Sequence, residues 1–111
     1  MKDEILVLAD RDGVIRFWSG GAERVFGYSA AEAAGTSLDL IVPPDYREAH
    51  WNGFRRAIAS GAASFEGQSG PFPALCANGD ILVIAGRLTL VRAPQGGVVG
   101  ALVAFDSAPA G

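Results

Sequence analysis

Asp12-Gly13-Val14-Ile15-Arg16-Phe17-Trp18-Ser19-Gly20-Gly21-Ala22-Glu23-Arg24-Val25-Phe26-Gly27-Tyr28 carries a turn, a strand and a short helix in one stretch. Asp-Gly is a strong two-residue hairpin signal. The apolar run Ile5-Leu6-Val7-Leu8-Ala9 before it and Val14 to Trp18 after it read as the two arms of the hairpin. Ser19-Gly20-Gly21 then punctuates, and Ala22 to Gly27 reads as one or two helical turns ended by glycine.

Working outward, Ser29 followed by Glu32 has the spacing of a capping box, which predicts another short helix stopped by Gly35. Pro43-Pro44 ends the apolar run Leu38 to Val42 and presets a longer helix from about Pro44 to Ser60, with Gly61 as its stop. At helical spacing Tyr46, His50, Gly53, Phe54, Ala57 and Ile58 share one face, while Asp45, Glu48, Asn52, Arg55 and Arg56 lie opposite or on the flank. The only histidine therefore stands in the middle of the inward stripe. From Phe65 to Pro73 glycine, serine and proline predict a loop, and Ala74 to Ala77 a strand entering the Asn78-Gly79 turn. Ile81 to Val91 alternates as a strand with Leu82, Ile84, Gly86, Leu88 and Leu90 inward and Arg87 and Thr89 outward. After Pro94 to Gly97, the run Val98 to Phe105 is apolar on both faces, which predicts a central strand. The order predicts an α+β fold, a five-stranded antiparallel sheet with helices packed on one face. One domain spans 1–111, its core covers about 4–106, and Ser107 to Gly111 is a low-complexity tail.

Composition narrows the functional classes. A chain of 111 residues has room for one core. Half the residues are apolar and 19% are charged, too hydrophobic for disorder, yet no run approaches the roughly 18 apolar residues of a membrane span. The net charge of −3 and the lack of basic clusters beyond Arg55-Arg56 argue against a nucleic-acid or anionic-membrane partner. The single cysteine, Cys76, cannot close an internal disulfide, and the acidic start Met1-Lys2-Asp3-Glu4 is unlike a signal peptide; both predict a cytoplasmic protein. One histidine, one cysteine and scattered carboxylates offer no base, nucleophile and orienting group at catalytic spacing, so no enzyme is expected.

These features together resemble the PAS family over about positions 4 to 106. The resemblance rests on Asp12-Gly13-Val14-Ile15 before Trp18-Ser19, on Ala22 to Tyr28 with Glu32 and Gly35, on Ile41-Val42-Pro43-Pro44 at the entry to the long helix, and on Asn78-Gly79 where the family usually has Asp-Gly. It implies helices closing over the sheet around a ligand cavity, and a sensor that works as a homodimer or drives a fused or associated signalling module.

Within that family, Tyr46-Arg47-Glu48-Ala49-His50 with Gly53-Phe54 and Arg56 is similar to the haem-binding subgroup of gas and redox sensors. The resemblance implies haem b, His50 as the iron ligand, Arg56 near a propionate, and Phe54, Leu82, Ile84, Gly86 and Leu88 around the macrocycle. The subgroup's oxygen sensors carry a distal arginine where an ungapped reading places Gly70, which shifts the expected signal from oxygen toward carbon monoxide, nitric oxide or redox state. Cys76 is the remaining candidate for a second axial ligand. The flavin-type reactive cysteine segment is absent, Thr36-Ser37-Leu38-Asp39 standing in its region, so photochemistry is not expected. Two other roles stay open: a cofactor-free dimerisation or docking module in which His50 is a core or rim residue bonded to backbone or water, and a sensor of another small molecule.

Overall fold

The computed structural model describes residues 4–64 and 66–106; the tail Ser107 to Gly111 lies outside the described residues. Strands β1 (Ile5–Asp10), β2 (Ile15–Trp18), β3 (Ser69–Leu75), β4 (Ile81–Arg92) and β5 (Val98–Phe105) form one antiparallel sheet in the order β2-β1-β5-β4-β3. The expected central position of the last strand is observed. Helices α1 (Gly20–Phe26), α2 (Ala30–Ala33) and α3 (Arg47–Ser60), with 3-10 turns at Leu38–Leu40 and Pro44–Tyr46, fill the connection from β2 to β3.

Each local element follows from its sequence signal. Asp10 Oδ1 accepts from the backbone N–H groups of Asp12 and Val14, closing the first hairpin, and Gly13 takes the left-handed φ of 78° that the turn needs. Ser29 and Glu32 make both bonds of the capping box. α1 begins two residues earlier than its apolar pattern suggests, because the Ser19 hydroxyl accepts from Ala22 N and so starts the helix at Gly20. The predicted long helix divides into the Pro44–Tyr46 turn and α3, and Gly61 ends it at φ 76°.

β3 corrects the expected loop from Phe65 to Pro73. The strand occupies Ser69–Leu75 and ends before Ala77, although it contains Pro71 and Pro73. It pairs only with β4, and prolines two residues apart turn the same side of the chain away from the partner, so no ladder donor is lost.

The core forms two clusters. The larger gathers Ile5, Val7, Ile15, Trp18, Phe26, Ile84 and Phe105 under α1 and α2, with Trp18 and Phe26 at 5.5 Å and Phe26 and Phe105 edge-on at 5.3 Å. The smaller joins Ala57 of α3 to Leu90, Val98 and Ala101. No helix among the described residues is long and apolar enough to cross a membrane.

Ser19 ties the first cluster to the edge of the sheet. Its buried hydroxyl accepts from Leu6 N at 2.8 Å and Ala22 N at 3.2 Å and donates to Glu4 O at 2.6 Å. Ser19→Ala strands two backbone donors at once and is expected to cost about 1–3 kcal/mol, read from the urea midpoint at unchanged slope.

Candidate functional site

Between the two clusters, α3 stands off the sheet over a cavity of about 380 Å³, near the lower end of the range for ligand pockets. Val7, Leu88, Leu90, Ala101 and Val103 form its floor, Leu38, Ile41 and Val42 one wall, and the inward face of α3 its roof. Apart from His50 and Tyr46, every side chain in that lining is apolar. Ala49 and Gly53 both line the cavity and are exposed, so its mouth opens along their flank of α3.

Side chains at the N-terminal end of α3 hold this roof in place. Arg47 Nε donates to Val42 O at 3.0 Å and its terminal nitrogen to Asp39 O at 3.2 Å, while one turn later Trp51 Nε1 donates to Asp39 Oδ1 at 2.7 Å. The Trp51 indole lies across Gly13, where a Cβ would collide with the ring. The hairpin glycine thus serves the turn and also seats the helix.

His50 sits beside that indole, edge-on at 4.8 Å, and stacks on Phe54 at 5.9 Å with an interplanar angle of 29°. Its Nδ1 is buried and has no hydrogen-bond partner. Burial pushes its pKa below the usual value, and the neighbouring Asp39 carboxylate offsets this in part. Burial therefore favours the neutral imidazole over the protonated one. An unmade hydrogen bond on a buried polar atom costs about 1–3 kcal/mol, which opposes the gain from the ring contacts with Trp51 and Phe54.

Of the residues singled out from sequence, the structure brings His50, Phe54 and Leu88 together in the cavity lining. Leu82, Ile84 and Gly86 lie outside that lining. Ile84 is buried in the larger cluster with Leu82 packed against it, and a Cβ on Gly86 would come within 3.0 Å of Phe105 and 3.2 Å of Phe72 and Val103. Phe72 and Phe105 meet edge-on at 5.7 Å beside Gly86 and fill that end, which moves the cavity along β4 to Leu88 and Leu90. Sequence reasoning overlooked Phe72 because it fell in a presumed loop. Arg56 is exposed and outside the lining; it follows Gly53 by three residues and so shares the mouth's flank of α3. Cys76 lies outside the lining too: its thiol is 3.7 Å from Val25 O against the larger cluster, with its pKa raised by burial. Among the described residues no group of three or more His, Cys, Asp or Glu could hold a metal ion, and His50 is the one residue of those four types in the lining.

The oxygen sensor protein DosP of Escherichia coli is 33% identical over 63 residues, 57% of this chain and 8% of its own length. The chain therefore spans only a small part of that relative. A PAS domain from Colwellia psychrerythraea superposes with a TM-score of 0.78 at 24% identity, over 96% of this chain and 86% of that one. The PAS domain of the quorum-sensing receptor RpfR of Cronobacter turicensis, solved in complex with C12:0, gives 0.71 at 15% identity, over 96% and 97%. The family model described as PAS fold matches residues 15–104. With the sheet order, the helical connection and the cavity beneath α3, that match makes the chain a PAS sensor domain, a member of the PAS fold family.

Proposed function

We propose that the domain binds haem b in the cavity beneath α3, with His50 as the iron ligand, and reports a diatomic gas or the redox state of the iron. The observation that carries this reading is the buried, unpartnered Nδ1 of His50 in the roof of a cavity whose lining is apolar apart from His50 and Tyr46. A neutral imidazole inside a low-dielectric pocket is a metal ligand in waiting, since no proton has to leave before it coordinates. The similarity to an oxygen sensor supports the same reading.

The residues fit such a group. Phe54 and Leu88 present apolar surface to a macrocycle, and Arg56 on the mouth's flank can meet a propionate left at the opening. When bound, haem supplies an iron centre that takes up a gas or an electron. The chain's own contribution is to orient the imidazole and exclude water. Metal-bound histidines commonly donate their second ring N–H to a carbonyl or carboxylate; here the Phe54 and Trp51 rings do the orienting instead. The floor of Leu88, Leu90, Ala101 and Val103 offers no donor to a bound gas, which favours carbon monoxide, nitric oxide or redox state over a stabilised oxygen complex. Apolar side chains exposed on the sheet, Phe17, Val83 and Val99 among them, favour a partner at that surface, either a second copy or an attached output module. On this reading the chain works as a sensor and not as an enzyme.

A second reading has the same cavity take a narrow apolar molecule, and the almost wholly apolar lining favours it. RpfR, of the same fold, is solved with C12:0.

Titration with hemin separates the two. Wild type is expected to give a saturable one-to-one Soret band that shifts on reduction and on addition of carbon monoxide, and His50→Ala is expected to lose it; unsaturable binding that ignores the substitution would sink the haem reading.

Without ligand, the lowered pKa of His50 sets a pH dependence. The unfolded chain takes up the histidine proton near pH 6.5 while the folded chain resists it, so stability is complete above that pH and falls as the pH is lowered. Between pH 7.5 and 5.5, above the ordinary range of the carboxylates, the urea midpoint of wild type is expected to drop while that of His50→Leu stays level. Equal slopes would show that another group titrates.

A further inference from the structure

α3 contains a glycine that nothing inside the fold requires. Gly53 lies in the middle of the longest helix, outside the left-handed region, and a Cβ built on it meets no atom within 4 Å. A glycine in a helix interior costs about 1 kcal/mol relative to alanine. At Gly13 and Gly86, by contrast, a side chain would run into Trp51 or into Phe72, Val103 and Phe105. The space over Gly53 is open, and it is cavity space: Gly53 lines the pocket one turn beyond His50 and is exposed at its mouth.

We infer that Gly53 determines the shape selectivity of the cavity, by leaving clearance for a broad flat ring system to lie against α3 while His50 reaches its centre. The inference rests on the macrocycle reading above. Imidazole is a short side chain, so a ring it ligates is held close to the helix that carries it. Where the ring lies against α3, the residue beneath it must then be shorter than imidazole. Of the lining residues one turn from His50, Tyr46 and Phe54 are longer and Gly53 alone is shorter, and Ala49 and Ala57 continue its row at four-residue spacing. A narrow acyl chain has no such need, because it can lie along the sheet without touching the α3 backbone. A glycine that weakens its helix is accounted for by a wide ligand and not by a thin one.

The test uses Gly53→Ala and Gly53→Leu in the full chain, with hemin, metal-free protoporphyrin IX and dodecanoate as probes. Without ligand both variants are expected to melt higher than wild type, by about 3–6 °C, because a mid-helix glycine is replaced in open space. That result excludes misfolding as the cause of lost binding. Gly53→Leu is expected to weaken both ring probes by about 5- to 150-fold, the range set by overpacking a fitted site, with Gly53→Ala between it and wild type and dodecanoate changed by less than about twofold. Unchanged hemin and protoporphyrin affinity in Gly53→Leu would overturn the inference and leave the haem reading standing. Equal weakening of dodecanoate would also overturn it, since Gly53 would then guard the entrance without selecting shape. A wild type that binds neither ring probe overturns the macrocycle reading and this inference with it.

Discussion

The seating of the Trp51 indole across Gly13 is the contact on which the cavity depends. α3 has an apolar inward face and the sheet beneath it is apolar as well, so burial alone would press the two together. What keeps them apart is anchorage at both ends of the helix. At one end Trp51 rests on the β1–β2 turn and bonds Asp39, and Arg47 bonds the carbonyls of Val42 and Asp39. At the other, Ala57 packs with Leu90, Val98 and Ala101, and Arg92 donates to Gly61 O at 3.0 Å while pairing with Glu66. In the span between, Gly53 presents no side chain to the lining, and the space below it remains.

The same arrangement explains why an imidazole with an unmade hydrogen bond persists. His50 is fixed by aromatic neighbours on its own helix, Trp51 and Phe54, and those rings are in contact at 5.4 Å. Trp51 cannot move without disturbing the hairpin and the 3-10 turn, which holds the imidazole beside it. The packing leaves one buried polar atom, His50 Nδ1, without a hydrogen-bond partner.

Much of this was legible in the sequence because it is governed by local rules. Asp12-Gly13, Ser29 with Glu32, Pro43-Pro44 and Gly61 each announce their element through backbone chemistry, and two apolar faces on Val98 to Phe105 announce a central strand. The helical stripe placed His50 and Phe54 inward without knowledge of the fold. What was not legible depended on tertiary choice. Pro71 and Pro73 read as loop until an edge strand makes their missing N–H groups harmless. Leu82, Ile84 and Leu88 share one face of β4 and look alike in sequence; only the crossing of Phe72 and Phe105 beside Gly86 decides that the cavity lies at the Leu88 end. The fit of Trp51 on Gly13 joins residues far apart in the chain and leaves no local signature.

The edges of the sheet bear on the protein's life at high concentration. β3 presents two prolines on its open side and β2 is closed by the loop after α2, where Ile15 N donates to Thr36 O and Gly35 N to Ile15 O. Neither margin offers a neighbouring molecule a free row of amide groups. Crowded copies can meet through side chains and part again, but they have little means of zipping backbone to backbone into fibres. Association of this fold is thereby directed to its side chains and away from its backbone.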